Sequence, residues 1–137
     1  MGRRKREMAQ RLKEEKRGKV TASLRNHRIS ARKTRLVADL VRGKEVNKAL
    51  AILKFTPNAS AAYIEKLLVS AINNWEQKNP DKALDDVVLY IKSIQVGEAG
   101  MLKRIQPAPQ GRAHRIRKRS SHITLELGEK LTEGINN

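Results

Sequence analysis

A stretch without carboxylates organises this chain: no Asp or Glu occurs between Glu98 and Glu126. Glycines and prolines gather near its centre, and alternating apolar residues lead into it and out of it. A strand that enters, a bend and a strand that returns is the simplest interpretation. We predict an extended β-hairpin over residues 92–122, whose bend is too far from the apolar strand ends to pack on a small core. It requires a polyanion around it because of its positive charge, which comes from Lys103, Arg104, Arg112, Arg115, Arg117, Lys118 and Arg119.

Composition gives the same indication about the partner. The 137 residues carry 30 Lys and Arg against 14 Asp and Glu, a formal net charge of +16. Self-repulsion of that size calls for an anionic partner, with nucleic acid first and an anionic membrane surface second. No apolar stretch approaches the length of a membrane span, and the absence of cysteine excludes disulfides and thiolate metal sites. We expect one domain in a cytoplasmic protein.

The first 19 residues form a separate basic segment, with nine Lys and Arg against three Glu. Met8 and Leu12 are its large apolar residues after the first position, so it cannot bury enough surface to fold alone. We predict a basic N-terminal arm over 1–19 that is disordered or becomes helical, over residues 7–16, on the phosphates of RNA; a solvated tail is the alternative. A short strand is predicted over 20–26.

The next segment is predicted to be a helix between Ser30, a good N-cap residue, and Gly43, a good residue beyond a C-terminus. Its apolar stripe comprises Leu36, Val37, Leu40 and Val41. The remaining surface is almost entirely positive, whereas a helix that is merely soluble would show mixed charge. We therefore predict that the helix lies between the core and a phosphate backbone. The RNA-binding side chains predicted here are Arg25, Arg28, Arg32, Lys33 and Arg35.

Apolar spacing predicts two further helices and two core strands. One helix spans 45–54, with Phe55 closing it against the core, and the other begins at residues 56–57 and carries an apolar stripe from Ile64 to Trp75. A strand follows over 87–96, and a returning strand alternates apolar and polar residues over 122–127.

The strand over 87–96 contains apolar residues of two parities. Leu89 and Ile91 share one and Ile94 and Val96 the other, so strict alternation cannot put all four on one face. We predict a β-bulge near residues 92–93, which would also twist the hairpin away from the body. The expected fold class is α+β, with three helices packed on a small antiparallel sheet and a long protruding basic β-hairpin. The domain would span 20–128, and 129–137 would be a polar C-terminal tail.

Catalytic chemistry is not indicated. The three histidines stand among arginines, the adjacent Asp85 and Asp86 would point to opposite faces of a strand, and no phosphate loop, metal-binding motif or nucleophile elbow occurs. We expect no catalytic residue, metal, cofactor or small-molecule substrate. Aromatic residues make up 3% of the chain and stand at core-like positions, so stacking of bases is not expected. Phosphate and shape recognition by Lys and Arg remains.

Several short motifs occur in a characteristic order. The first group comprises Ser30-Ala31-Arg32-Lys33, the run from Leu36 to Lys44 and the run from Ala49 to Pro57. The second group comprises Leu102-Lys103-Arg104, Gly111-Arg112-Ala113 and the run from Lys118 to Thr124. Together, over about residues 20–127, they resemble the bacterial large-subunit ribosomal proteins of the L-twenty-two family.

The resemblance implies a body bound to large-subunit ribosomal RNA and to neighbouring ribosomal proteins. It also implies a hairpin that threads through the RNA to the nascent-peptide exit tunnel, where changes near the tip alter the response to macrolides. Two departures from the family pattern, Gly97-Glu98-Ala99-Gly100 and Ala108-Pro109-Gln110, predict a stiffer and less charged tip. The tunnel-facing tip carried over from the family comprises Leu102, Lys103, Arg104, Gln106, Pro107, Ala108 and Gln110.

The leading hypothesis is therefore a structural constituent of the large ribosomal subunit, with its hairpin in the wall of the exit tunnel and the nascent peptide near the tip. The alternative is a free basic nucleic-acid-binding or RNA-chaperone protein. A third hypothesis is a nuclease-like enzyme that uses His114 or His122.

Overall fold

A computed structural model, which describes residues 2–131, gives the chain an α+β fold with four α-helices and five strands in that range. The helices are α1 (Arg3–Gly18), α2 (Ala31–Val41), α3 (Val46–Phe55) and α4 (Ala59–Lys78). The strands are β1 (Val20–His27), β2 (Val87–Glu98), β3 (Leu102–Pro107), β4 (Ala113–Lys118) and β5 (Ser121–Leu131). The fold class is as predicted, but the helix count of three was one short.

The extra helix is the basic N-terminal segment. None of the residues of α1 is buried, whereas α2, α3 and α4 each bury one side. The apolar core lies between these three helices and one face of a three-stranded sheet. Apolar residues at helical spacing predict helices that bury one side. They do not predict α1, whose only large apolar residues are Met8 and Leu12.

The main sheet is antiparallel with the strand order β1-β5-β2. The predicted β-bulge is confirmed: Ile91 pairs with Leu127 and Ser93 with Glu126, so Lys92 is the extra residue. The bulge changes the parity of β2, and Leu89, Ile91 and Ile94 are consequently all buried. The ammonium of Lys92 lies 3.0 Å from a carboxylate oxygen of Glu126.

Strands β3 and β4 form a second, two-stranded antiparallel sheet, which we call the ribbon. Pairing between β2 and β5 ends at Glu98 and Ser121, and pairing resumes at Leu102 and Lys118. Between these two points, residues 99–101 of one strand face residues 119–120 of the other. The Ala99 amide donates a 2.9 Å hydrogen bond to the Ser120 carbonyl across this interruption. The ladder predicted over 92–122 is therefore divided here, and the bulge lies inside the main sheet.

Helix α2 has the predicted ends but a different inward side. It follows Ser30 and ends before Gly43, whose φ of 75° suits glycine. Leu36 and Leu40, both predicted to face the core, are 66% and 46% exposed. The buried side is made of Ala31, Thr34, Val37, Ala38 and Val41. Ala31, Thr34 and Ala38 are small, which lets the helix approach its neighbours closely. The predicted stripe contained only large apolar residues and therefore did not include them.

Two expectations for the following helices were also wrong. Phe55 ends α3 but does not close it against the core, because its side chain is 82% exposed. Helix α4 begins at Ala59 rather than at residues 56–57, since the side chain of Asn58 caps it by accepting a 2.9 Å bond from the Ser60 amide. The predicted core position of Trp75 is confirmed, with no exposed surface.

The predicted polar tail begins later than residue 129. Strand β5 continues to Leu131, and Glu129 pairs with Leu89 of β2. The indole nitrogen of Trp75 donates a 2.6 Å hydrogen bond to Glu129, whose other carboxylate oxygen lies 2.7 Å from the Lys82 ammonium. The bond to the Lys82 ammonium, and secondly the bond from the Trp75 indole, hold the pKa of Glu129 below its usual range. Residues 132–137 of the predicted tail lie outside the described residues.

Candidate nucleic-acid interface

The predicted RNA-binding cations all reach the surface. They lie in or just after β1, in the first half of α2, and in the ribbon, its turn and the segment that joins β4 to β5. Ion pairs at Arg42, Lys82 and Lys92 lie elsewhere on the body. The exposed set comprises Arg25, Arg28, Arg32, Lys33, Arg35, Lys103, Arg104, Arg112, Arg115, Arg117, Lys118 and Arg119.

Like charges face each other across the ribbon. Lys103 pairs directly with Arg117. Arg115, two residues before Arg117 and on the same face, pairs with Ile105. Like charges placed directly opposite destabilise a strand pair, and a two-stranded sheet without a core is marginal in water. Within the ribbon only Ile116 is as much as half-buried. The ribbon therefore lacks internal stabilisation and carries a charge that a polyanion would neutralise.

The residues predicted for the tip are not brought together. Gln106, Pro107, Ala108 and Gln110 lie at the turn, but Leu102 pairs with Lys118 at the opposite, open end of the ribbon. Pro107 lies five residue steps along the antiparallel strand from Leu102, or about 17 Å away. Leu102, Lys103 and Arg104 therefore lie in the half of the ribbon nearer its base and not at its tip.

The turn itself is tightly closed and uncharged. The Ala108 amide donates a 2.9 Å hydrogen bond to the Arg112 carbonyl across a short 3-10 turn, Pro109–Gly111. Gln110 and Gly111 adopt left-handed φ values of 61° and 68°. Such values are ordinary for glycine and uncommon for glutamine. The chain carries no charge from Ile105 to Gly111.

The start of α2 and the base of the ribbon surround one cavity of about 400 Å³. Ser30, just before α2, and Arg32 line it on one side, while Glu98, Arg119 and Ser120 line it from the strand ends. Two predicted cations that lie 87 positions apart in the chain, Arg32 and Arg119, thus belong to one continuous surface. The predicted helix and hairpin interfaces meet at this point.

Arg35 has a second role that the sequence pattern does not reveal. Its Nε and Nη2 both donate to the Val96 carbonyl at 3.1 Å, and Arg42 Nη2 donates to the Ile94 carbonyl at the same distance. These carbonyls lie on β2, an outer strand of the main sheet. Arg35 and Arg42, the residue that follows α2, are seven residues apart and together protect a sheet edge. Arg42 was not predicted as a site residue. Its spacing of seven residues from Arg35, about two helical turns, indicates that both side chains leave the same side of the helix.

The histidines have structural surroundings. His27 is buried, its Nε2 lies 3.5 Å from Ser60 Oγ, and burial lowers the pKa of its imidazole. His122 Nδ1 accepts a 3.1 Å hydrogen bond from the Asn26 amide, and His114 pairs with Gln106 in the ribbon. No group of three or more His, Asp or Glu residues within 2–131 is arranged to hold a metal ion. None of the helices in that range has the length and apolarity of a membrane span.

Known proteins are similar to this sequence over almost its whole length. A sequence profile of the family described as Ribosomal protein L22p/L17e matches residues 22–128. The large ribosomal subunit protein uL22 of Christiangramia forsetii is 57% identical over 128 residues, covering 93% of this chain and 95% of the relative. The uL22 of Flavobacterium psychrophilum is 51% identical over 137 residues (99% and 100%), and that of Bacteroides fragilis is 52% identical over 130 residues (95% of each chain). The predicted resemblance is confirmed: the chain belongs to the L22p/L17e family of ribosomal proteins.

Proposed function

We propose that this chain is a structural constituent of the large ribosomal subunit in the cytoplasm, where it binds ribosomal RNA and contacts neighbouring ribosomal proteins. The observation that carries the proposal is the identity of more than half the residues with a relative named as a large-subunit protein, over 93% of this chain. The family is one of ribosomal structural proteins, and it is not an enzyme family.

RNA binding is assigned to residues 20–128, with 1–19 as a separate arm. The support is electrostatic: the ribbon sets Lys103 against Arg117 with no carboxylate between Glu98 and Glu126. A phosphate backbone would convert this repulsion into attraction, and the arginines offer bidentate donors to phosphate oxygens. Since no exposed aromatic residue lies in the ribbon, recognition would rest on phosphate and shape.

Co-sedimentation tests this proposal. The tagged full-length chain, expressed at its natural level, should migrate with the large subunit in a sucrose gradient and stay there after a high-salt wash. A free RNA chaperone would leave the subunit in the wash, because its binding would rest on screened phosphate contacts alone. Recovery chiefly in the free fraction would contradict the proposal and favour that alternative.

The finer part of the proposal concerns the turn of the ribbon. We propose that it reaches the exit tunnel and lies beside the nascent peptide, with Gln106, Pro107, Ala108 and Gln110 forming that surface. The absence of charge from Ile105 to Gly111 supports this, because an uncharged turn would shape a passage without holding RNA or peptide tightly. The charged base of the ribbon would grip the RNA.

A photo-crosslinker placed at Gln110 tests the position of the turn. It should label a stalled nascent peptide, while the same group at Leu102, which lies at the base of the ribbon about 17 Å from Pro107, should label RNA instead. Labelling of the peptide from Leu102 but not from Gln110 would contradict the assignment.

A further inference from the structure

Helix α1 concentrates its net charge on one side. With about 100° of rotation per residue, Lys5, Arg6, Lys13, Lys16 and Arg17 fall within a sector of about 120°. The only other residue in that sector is Ala9. We call this surface the α1 stripe. It contains no carboxylate and runs about 18 Å along the helix from Lys5 to Arg17.

The rest of α1 is electrically balanced. Arg3, Arg4 and Arg11 share it with Glu7, Glu14 and Glu15, and Arg3 Nε lies 2.9 Å from Glu7. The net charge of the helix therefore comes entirely from the stripe. A helix that needed charge only for solubility would have cations and acids mixed on every side. This separation indicates a surface that faces a polyanion.

The base of the helix is fixed to the body. The Lys78 ammonium, in the last turn of α4, donates to the Arg17 carbonyl at 3.3 Å and also to the Lys19 carbonyl. A cation at this place also complements the negative ends of two helix dipoles. Nearby, Asn74 Nδ2 donates to the Thr21 carbonyl at 3.1 Å, which holds the start of β1 against α4. The arm thus leaves the body from a defined point.

We propose that α1 is a second RNA-binding element, separate from the ribbon, whose stripe lies along the phosphate backbone of ribosomal RNA. This rests on the proposed function and adds a contact outside the matched family segment, residues 22–128. The chemistry is phosphate neutralisation by five cations, without base readout. An anionic membrane is the less suitable partner, because Met8 and Leu12 are the only large apolar side chains on the helix.

Matched arginine pairs provide the test. Arg6→Gln with Arg17→Gln removes two charges from the stripe, whereas Arg4→Gln with Arg11→Gln removes two charges from the balanced side. The full-length variants are titrated with deproteinised large-subunit ribosomal RNA between about 50 and 200 mM salt. The stripe variant should lose about 1.5 from the slope of log affinity against log salt, and its matched control should lose much less. Circular dichroism would verify that both variants keep the helix.

A third variant separates this inference from the proposed function. Arg115→Gln with Arg117→Gln removes two charges from the ribbon and should also lower the slope. In hydroxyl-radical footprinting, the stripe variant and the ribbon variant should then lose protection at different positions of the RNA backbone.

Equal slopes for the stripe variant and its control would overturn the inference while leaving the ribbon assignment standing. Unchanged slopes in all three variants would contradict RNA binding by either element. Binding to vesicles of phosphatidylglycerol and phosphatidylcholine tests the membrane alternative. A stripe variant that lost vesicle binding but kept its RNA slope would show that α1 serves a membrane, and the inference would be wrong.

Discussion

Gly128 shows how one residue of β5 fixes the packing of its neighbour. It pairs with Tyr90, and a Cβ atom at this position would lie 2.6 Å from Tyr90 Cζ and 2.8 Å from Cε1. The tyrosine ring therefore covers the glycine and lies 4.9 Å below the Lys130 ammonium. A side chain at this position would therefore require the Tyr90 ring or the strand to shift.

Gly128→Ala is expected to destabilise the protein by about 1–3 kcal/mol, because either the Tyr90 ring or the strand must move. Gly97→Ala is the matched control: Gly97 is also in a strand, and nothing lies within 4 Å of its added Cβ. Urea unfolding of both variants measures the difference. In a Tyr90→Ala background the cost of Gly128→Ala should largely disappear; equal costs in both backgrounds would contradict the explanation.

Helix α2 combines two functions that the pattern of charge in its sequence does not distinguish. Arg32, Lys33 and Arg35 were all predicted to bind RNA, yet Arg35 donates twice to the Val96 carbonyl, while Arg32 lines the cavity at the ribbon base. A pattern of charge along a helix cannot distinguish a cation that faces solvent from one that reaches a neighbouring strand. That distinction depends on the tertiary position of β2.

Arg32→Glu and Arg35→Glu are accordingly expected to differ. Reversal at Arg32 should weaken RNA binding and leave the free energy of unfolding almost unchanged. Reversal at Arg35 should weaken RNA binding and also cost about 1 kcal/mol of stability, because the Val96 carbonyl loses both donors. Thermal unfolding and RNA titration of the two variants measure this. Equal stability of both would mean that the bonds to Val96 contribute nothing.

The elements that could be predicted from sequence are those whose signal is local. The bulge at Lys92 follows from a change of parity within β2, and the buried face of α4 follows from large apolar residues at helical spacing. The inward side of α2 could not be predicted in this way, because its contacts are made by small residues such as Ala31 and Ala38. The extension of β5 to Leu131 depends on pairing with β2, which no local pattern of polar residues reveals.

The candidate interface divides in the same manner. Exposure and charge of the ribbon cations were predictable, since an uninterrupted run without carboxylates has no internal partner. The position of Leu102 at the base was not, because it depends on where the ladder between β2 and β5 stops at Glu98. The α1 stripe was available from helical spacing, yet it becomes significant only once residues 3–18 are known to be one continuous helix.

Over the whole molecule, positive charge is kept away from the core. Of the net charge of +16, residues 1–19 and 99–125 together account for thirteen. From residue 2 onwards, neither segment contributes a large buried side chain outside the start of β5. The remaining body is close to neutral and can pack without strong self-repulsion. The fold therefore separates a stable body from two basic elements that need a polyanion.

This separation predicts uneven protection from hydrogen exchange. In the free chain, amides of the ribbon should exchange at least tenfold faster than those of β5 near Leu125, because the ribbon has no core and opposes Lys103 to Arg117. Large-subunit RNA should slow exchange in the ribbon with little effect on β5. Arg117→Glu, which places a carboxylate opposite Lys103, should slow ribbon exchange roughly two- to fivefold without RNA while weakening RNA binding. Mass spectrometry of peptic fragments measures both; a ribbon as protected as β5 in the free chain would show that its stability does not depend on a polyanion.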